Sequence, residues 1–283
     1  MVRIQLPVSF VESAREFAEG TRKPAEPRNA ATVVLMRAGE SGPEVYLLRR
    51  QTSMAFAGGM CVFPGGGVDP RDFDHEVAWA GPEPGEWAGQ LGTDEATARA
   101  LVCAAVRETF EESGVLLAGA SADTVVADTT GEDWERDRAA LEARELAFTE
   151  FLDRRGLVLR TDLLGVWSAW LTPVFEPKRY RTWFFVADLP EGQHTRDVST
   201  ESDQVTWLPA RQAVLDVESE QLMMLPPTYM TCLDVAQHAD PAAVLVASRD
   251  RAVEMFTPEI EEGDDGGTLS APPWMQTLLE GRP

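Results

Sequence analysis

The chain has 283 residues, of which 44% are hydrophobic, enough apolar material for one large domain or two small ones. It carries 25 basic and 47 acidic residues, for a formal net charge of −22. This charge repels nucleic-acid backbones and anionic membrane surfaces, so we expect neither as a partner. No stretch approaches about 18 uninterrupted apolar residues, and residues 1–10 lack the apolar run of a signal peptide. We therefore expect a cytoplasmic protein.

The pattern along the chain predicts a mixed α/β fold. Residues 30–36 and 45–50 are β-rich runs joined by a connector with glycine and proline, which indicates a hairpin. Residues 60–63 form a short β-rich run that leads into the triple glycine at positions 65–67. Further strands are expected at 163–171, 182–187 and 205–208, and further helices at 134–155, 210–216 and 228–238.

A long helix is predicted from about Asp94 to Ser113. Asp94 is a suitable N-cap, and Gly114 is the residue type that commonly ends a helix. Apolar residues recur along this segment at helical spacing and form a core stripe: Ala98, Leu101, Val102, Ala105 and Val106.

Three carboxylates lie on one side of this helix near its C-terminal end. At about 100° per residue, Glu108, Glu111 and Glu112 fall within an arc of roughly 100°. Like charges at this spacing destabilise a helix by roughly 0.2–0.5 kcal/mol per pair, so the cluster is either fully solvated or holds a cation. The arc borders the apolar stripe, where an unpaired charge is costly, which favours the cation. Carboxylate oxygens suit Mg²⁺ or Mn²⁺.

The residues around this cluster resemble the signature of the Nudix hydrolases. That signature reads Gly, five residues, Glu, seven residues, then Arg-Glu-aliphatic-x-Glu-Glu-x-Gly-aliphatic. Residues 107–115 match it except at Thr109, where an aliphatic residue is usual. The resemblance implies an α/β/α sandwich around a mixed sheet. It also implies that Glu108, Glu111, Glu112 and the carbonyl of Gly66 hold the metal, and that Arg107 orients the carboxylates.

The signature is interrupted. Gly66 and Arg107 are 41 positions apart (107 − 66) against 14 in the uninterrupted pattern, so about 27 residues are inserted. Counting back from Arg107 places Arg99 where the first glutamate belongs, and we assign that role to no residue. Such an insertion resembles the Nudix subfamily of the mammalian peroxisomal coenzyme A diphosphatase. The inserted segment, about 72–92, is expected to be loop-like, with Trp79 and Trp87 either closing the site or pinning the loop to the core.

Other residues resemble the coenzyme A-cleaving Nudix enzymes. When the pattern of those enzymes is aligned on Phe63, Arg50 and Gly59 match, whereas Ala55 replaces a second arginine. Downstream, a basic cluster stands out in an acidic chain: Lys178, Arg179 and Arg181. Arginine forks match phosphate oxygens, so these residues and Arg50 are candidates for substrate binding. The alternative is an ordinary solvated hairpin tip.

The resemblance implies Mg²⁺-dependent hydrolysis of a diphosphate in a small nucleotide substrate. Coenzyme A or an acyl-coenzyme A is favoured, giving 3′,5′-ADP and 4′-phosphopantetheine or its acyl form. The alternatives are an NADH or ADP-ribose diphosphatase, or a non-enzymatic domain that senses a nucleotide. The general base is either a glutamate of the signature or a later acid, for which Glu201 is our candidate.

We expect one elaborated domain over residues 1–283. Its core spans about 29–240, and residues 257–283, which are acidic and rich in glycine, are expected to form a mobile tail. The three cysteines show no metal-binding spacing and are expected to be reduced core thiols. The sequence is compatible with a monomer or a homodimer.

Overall fold

The computed structural model describes residues 23–53, 57–73, 77–263 and 266–280, together with 12, 14–17 and 20. Ala55, part of the expected insertion (74–76) and both ends of the expected single domain therefore lie outside the described residues.

Strands and helices are interspersed along the chain. The strands are β1 (Arg28–Gly39), β2 (Gly42–Arg50), β3 (Cys61–Val62), β4 (Gly65–Gly67), β5 (Trp79–Ala80), β6 (Ala118–Gly119), β7 (Val158–Arg160), β8 (Leu164–Leu171), β9 (Tyr180–Asp188), β10 (Ser202–Pro209), β11 (Met255–Phe256), β12 (Ile260–Gly263) and β13 (Gly266–Leu269). The helices are α1 (Pro84–Leu91), α2 (Glu95–Ser113), α3 (Glu132–Glu142), α4 (Phe148–Arg155), α5 (Ala210–Glu218), α6 (Pro226–Val235), α7 (Pro241–Arg249) and α8 (Pro273–Glu280), with 3₁₀ turns at Pro70–Phe73 and Thr161–Leu163.

The main sheet is mixed and, within the described residues, has eight strands. Its order is β10-β2-β1-β9-β8-β11, with β3 beside β2 and β4 beside β1. Strand β1 runs antiparallel to β2 and parallel to β9. The pairing of β4 with β1 places the glycine turn next to the centre of the sheet.

Two hydrophobic cores lie on opposite faces of this sheet, because successive side chains of a strand point to opposite sides. From β1, Ala31, Val33 and Leu35 contribute to the core that contains α2. Val34 and Met36 contribute to the core with the later helices α5, α6, α7 and α8. The α/β/α sandwich expected from the sequence is confirmed.

The long helix α2 begins and ends where the sequence predicts. Asp94 is its N-cap and accepts a hydrogen bond from the backbone N of Thr97. Gly114 follows the helix with a φ of 74°, in the left-handed region that glycine adopts readily. Small residues let the helix lie close to the sheet, since Ala98, Ala104 and Ala105 are fully buried.

The inserted segment is built into the core, so the expectation of a loop is wrong for most of it. It contains β5, which pairs with β7, and helix α1, which packs against α2. Trp87 of α1 is only 1% exposed, packs edge-on against Phe185 and donates from Nε1 to Thr161. Trp87 therefore pins the insertion to the core. Trp79 donates to the carbonyl of Pro82 within the same segment.

Two further segments differ from expectation. The single helix expected at 134–155 is divided into α3 and α4 by a turn at 143–147. In the region expected to be a mobile tail, β12 and β13 form a hairpin, and α8 buries Met275 and Leu279. Helix α8 is therefore anchored to the core, which the sequence pattern did not indicate.

The three cysteines are buried free thiols, as expected. Among the described residues, no helix combines the length and the apolar composition that a membrane span requires.

We expect Asp94→Ala to lower the free energy of unfolding, because the first turn of α2 loses its side-chain acceptor. Asp94→Asn keeps an acceptor oxygen and should lose much less. Urea unfolding followed by circular dichroism measures both variants. Equal stability of Asp94→Ala and the unchanged protein would show that this cap is not stabilising.

Candidate functional site

The glycine turn lies directly against helix α2, at a distance that only glycine permits. A Cβ on Gly66 would lie 2.5 Å from Oε1 of Glu108, and a Cβ on Gly65 would lie 2.6 Å from the carbonyl O of Ala31. The backbone N of Gly65 donates to Oε2 of Glu112 at 2.8 Å. The turn and the acidic face of the helix therefore form one site.

Arg107 is the centre of the hydrogen-bond network at this site. Its side chain is 10% exposed, and Nε and Nη2 each donate to Asp72 at 3.2 Å. Nη1 donates to Oε1 of Glu108 at 2.7 Å and to Oε1 of Glu111 at 3.2 Å. Nη2 also donates to the carbonyl of Gly67 at 3.0 Å. Burial alone would lower the pKa of Arg107, but the surrounding carboxylates outweigh it and raise this pKa. Arg107 therefore stays charged.

Asp72 is a site residue that the sequence reasoning missed. Its side chain is 1% exposed and lies in the 3₁₀ turn Pro70–Phe73, where Oδ2 also accepts from the backbone N of Asp69. Burial raises the pKa of Asp72, and the charge of Arg107 opposes that rise. Five residues separate Gly66 from Asp72, the spacing of the first acidic residue in the signature. Counting forward from Gly66, instead of back from Arg107, would have found it.

If all were ionised, Glu108, Glu111 and Glu112 would carry more negative charge than Arg107 can balance. Burial raises the pKa of Glu111 to about 7, with a further rise from the charge of Glu108. Burial also raises the pKa of Glu108, and it raises that of Glu112 well above its usual value.

Thr109, the departure from the signature, is fully buried and donates to the carbonyl of Ala105. Its hydroxyl is thereby satisfied in an apolar position.

A cavity of about 200 Å³ opens beside this cluster. The cavity is lined by the glycine turn, the carboxylates, the loop after α3 and the loop before β10. The lining residues are Gly65, Gly66, Gly67, Asp69, Arg71, Asp72, Arg107, Glu108, Glu111, Glu112, Leu141, Glu142, Arg144, Leu146, Ala147, Phe148, Ser199, Thr200 and Glu201. The residues of the glycine turn and the α2 carboxylates that the sequence singled out thus meet in one wall.

Glu201 and Arg50 are also brought to this site. Glu201 lines the cavity, and its Oε2 accepts from Nη2 of Arg50 at 2.9 Å. The charges of both residues act on the pKa of Glu112, which Glu201 raises and Arg50 lowers. Two residues far apart in sequence therefore lie next to the acidic helix face.

The basic cluster of the hairpin is placed differently. The cavity, as lined by the described residues, does not include Lys178, Arg179 or Arg181. Arg179 is buried and donates to the carbonyls of Thr172 and Ala25, and Arg181 donates to the carbonyl of Pro27. These two arginines tie the segment before β1 to the sheet.

The residues of the site suit a hard divalent cation by chemistry. Carboxylate and carbonyl oxygens are the donors that Mg²⁺ and Mn²⁺ take, and the glycine turn leaves the space that a side chain would fill. Within the described part of the chain, no three acidic, histidine or cysteine side chains already meet in metal-holding geometry. In this arrangement Glu108 and Glu111 instead share Nη1 of Arg107.

Comparison with known proteins points to one family. A family model described as the NUDT19 Nudix domain matches residues 88–233, just over half of the chain. The acyl-coenzyme A diphosphatase NUDT19 of Xenopus laevis is 24% identical over 223 residues, covering 66% of this chain and 58% of that protein. The protein of the same name from Gallus gallus is 25% identical over 251 residues, covering 75% of this chain and 66% of that protein. The chain therefore spans less than two thirds of the length of these relatives.

Among solved structures, a NUDIX hydrolase from Alicyclobacillus acidocaldarius superposes with a TM-score of 0.68 and 26% identity. The match covers 78% of this chain and 96% of that one.

We expect Asp72→Asn to lower the free energy of unfolding by about 3 kcal/mol, because it removes one carboxylate from a buried guanidinium. The matched control is Asp69→Asn, because Arg71, the partner of Asp69, is partly exposed. This control should lose less than about 1 kcal/mol of unfolding free energy. Urea unfolding of both variants gives the comparison. Equal losses would mean that burial of the Arg107 network is not what makes Asp72 important.

Proposed function

Because the chain belongs to the Nudix hydrolase family, we propose that it is a metal-dependent hydrolase that cleaves the diphosphate of a nucleotide substrate. The observation that carries the proposal is the meeting of Glu108, Glu111 and Glu112 with the glycine turn in one cavity. An excess of buried carboxylates is costly to the fold unless a cation is bound there. A domain that only bound a nucleotide would not need this set of carboxylates.

We assign the metal to Glu108, Glu111, Glu112 and the carbonyl of Gly66, with Mg²⁺ or Mn²⁺ as the ion. When bound, the ion neutralises phosphate charge and activates a water molecule. Arg107 orients Glu108 and Glu111 through Nη1, and the N–H of Gly65 orients Glu112. The protein acts by positioning and electrostatic stabilisation, as expected where charge spreads over phosphate oxygens.

Glu201 is our proposed general base. It lies in the cavity wall, its side chain is 53% exposed, and Arg50 fixes one of its carboxylate oxygens. In this role Glu201 accepts a proton from the attacking water at a carboxylate oxygen. A glutamate of the signature is the alternative, and the pH dependence of a Glu201→Gln variant separates the two.

For the substrate we propose coenzyme A or an acyl-coenzyme A, cleaved to 3′,5′-ADP and 4′-phosphopantetheine or its acyl form. Relatives at 24% and 25% identity carry the name acyl-coenzyme A diphosphatase, which supports this choice. Arg50 lies beside the site as a partner for phosphate oxygens. Arg179 and Arg181 donate to backbone carbonyls, so of the basic cluster we propose only Lys178 for the part of the substrate that extends beyond the cavity. We place this reaction in the cytoplasm.

We expect Glu112→Gln to lower kcat by at least about 100-fold, equivalent to roughly 2.7 kcal/mol of barrier stabilisation. Its stability without metal should be unchanged or higher, since the variant loses a like charge from a crowded helix face. Steady-state kinetics and thermal unfolding are the measurements. Glu95→Gln, at the exposed start of the same helix, is the control and should keep normal activity. Near-normal turnover in Glu112→Gln would remove the metal assignment.

We expect kcat/KM for coenzyme A or an acyl-coenzyme A to exceed that for NADH and ADP-ribose by at least about tenfold, a difference of roughly 1.4 kcal/mol. Product identification by mass spectrometry, with and without Mg²⁺, accompanies the kinetics. A preference for NADH or ADP-ribose would overturn the coenzyme A assignment and leave the proposed hydrolytic mechanism intact.

A further inference from the structure

The cavity is strongly acidic, yet the proposed substrate is a polyanion. Its wall contains the carboxylates Asp69, Asp72, Glu108, Glu111, Glu112, Glu142 and Glu201. Among the described residues that line it, the basic side chains are Arg71, Arg107 and Arg144. Besides the proposed metal ion and Arg50, these arginines are the groups of the wall that can attract phosphate.

Two of the three arginines are already committed to protein partners. Arg107 is surrounded by Asp72, Glu108 and Glu111. Arg71 pairs with both carboxylate oxygens of Asp69, at 3.0 Å from Nε and 2.8 Å from Nη2. Its Nη1 donates to the backbone carbonyl of Arg144 at 2.9 Å. These contacts neutralise both guanidinium groups.

Arg144 differs from both. It is exposed, and among the described residues its side chain has no ion pair or hydrogen bond. The bond from Arg71 holds its backbone beside Asp69 and the glycine turn. A residue that lines the cavity thus has an exposed guanidinium whose donors are available.

The backbone at Arg144 favours a different residue. Its φ is 59°, in the left-handed region where an L side chain is strained. It follows the C-cap of α3, and Glu145 donates from its backbone N to the carbonyl of Ala140, a helix ending at which glycine is usual. An arginine is therefore present where the fold alone would prefer glycine.

We propose that Arg144 binds a phosphate group of the substrate and so determines which nucleotides this cavity accepts. The inference rests on the proposed function and deepens it. It assigns the substrate's phosphate contact to the turn between α3 and α4, instead of to the basic hairpin at 178–181. A guanidinium fork matches two phosphate oxygens, which gives this contact its selectivity.

The test is Arg144→Gly, since glycine fits the local backbone and removes only the side chain. Isothermal titration with 3′,5′-ADP in the presence of Mg²⁺ measures binding without turnover. We expect affinity to fall by about tenfold or more, the size of a lost charge-assisted hydrogen bond. We also expect KM for coenzyme A to rise similarly with kcat within about threefold, because the lost contact binds substrate and transition state alike. The thermal midpoint should stay the same or rise.

Two further variants act as controls. Arg144→Lys keeps the charge and loses the fork, so its affinity for 3′,5′-ADP should lie between those of the unchanged protein and Arg144→Gly. Arg136→Ala removes an exposed positive charge from α3 without touching the cavity, and its binding should be unchanged.

The outcomes separate the two claims. The inference is overturned if Arg144→Gly binds 3′,5′-ADP with an affinity within about twofold of that of the unchanged protein. It is also overturned if Arg144→Gly loses binding and has a lower thermal midpoint, because that combination indicates a structural role. Failure of the unchanged protein to bind 3′,5′-ADP also overturns it. Loss of binding in Arg144→Gly alone, in a protein that hydrolyses none of the tested nucleotides, supports the phosphate contact and refutes the proposed hydrolase.

Discussion

The buried guanidinium of Arg107 joins three separate parts of the chain. It bonds to Asp72 in the turn at the start of the insertion, to the carbonyl of Gly67 in the glycine turn, and to two carboxylates of its own helix. Arginine can do this because its five donors lie in one plane, whereas a lysine offers a single point charge. Loss of Asp72 would leave two donors of this buried guanidinium without an acceptor, which is costly in a poorly solvated place. The position of the acidic helix face therefore depends on this one side chain.

The same network leaves the cavity with a surplus of negative charge. Burial already raises the pKa of Glu108, Glu111 and Glu112, so the fold disfavours their ionised forms. Under the proposed function, cation and phosphate relieve this strain together, and each raises the affinity for the other. That linkage explains how a chain of net charge −22 could bind a polyanion. Arginines at the rim then select among nucleotides without having to overcome the whole acidic field.

The first and last residues of helix α2 could be predicted from local sequence, because Asp94 and Gly114 cap the helix through hydrogen bonds to residues close to them in the chain. Much of the carboxylate wall followed, because its spacing is that of a single helix. The sequence was less decisive where a residue's role depends on distant partners. It left two roles open for Trp87, and the contacts with Thr161 and Phe185, which lie far along the chain, show that Trp87 pins the insertion to the core. Asp72 escaped prediction because the insertion changes its distance from Arg107 along the sequence, although its distance from Gly66 is that of the signature.

The place of the insertion follows from the ion pair between Asp72 and Arg107. An insertion is tolerated where the chain leaves and returns at neighbouring points, because closing a longer loop adds little entropy cost. Asp72 and Arg107 are in contact, so the intervening residues can form added structure without separating the parts of the signature. Helix α1 stabilises that addition by burying Trp87 and Leu91 against the core. The interruption therefore enlarges the domain next to its site while the geometry of the acidic cluster is kept.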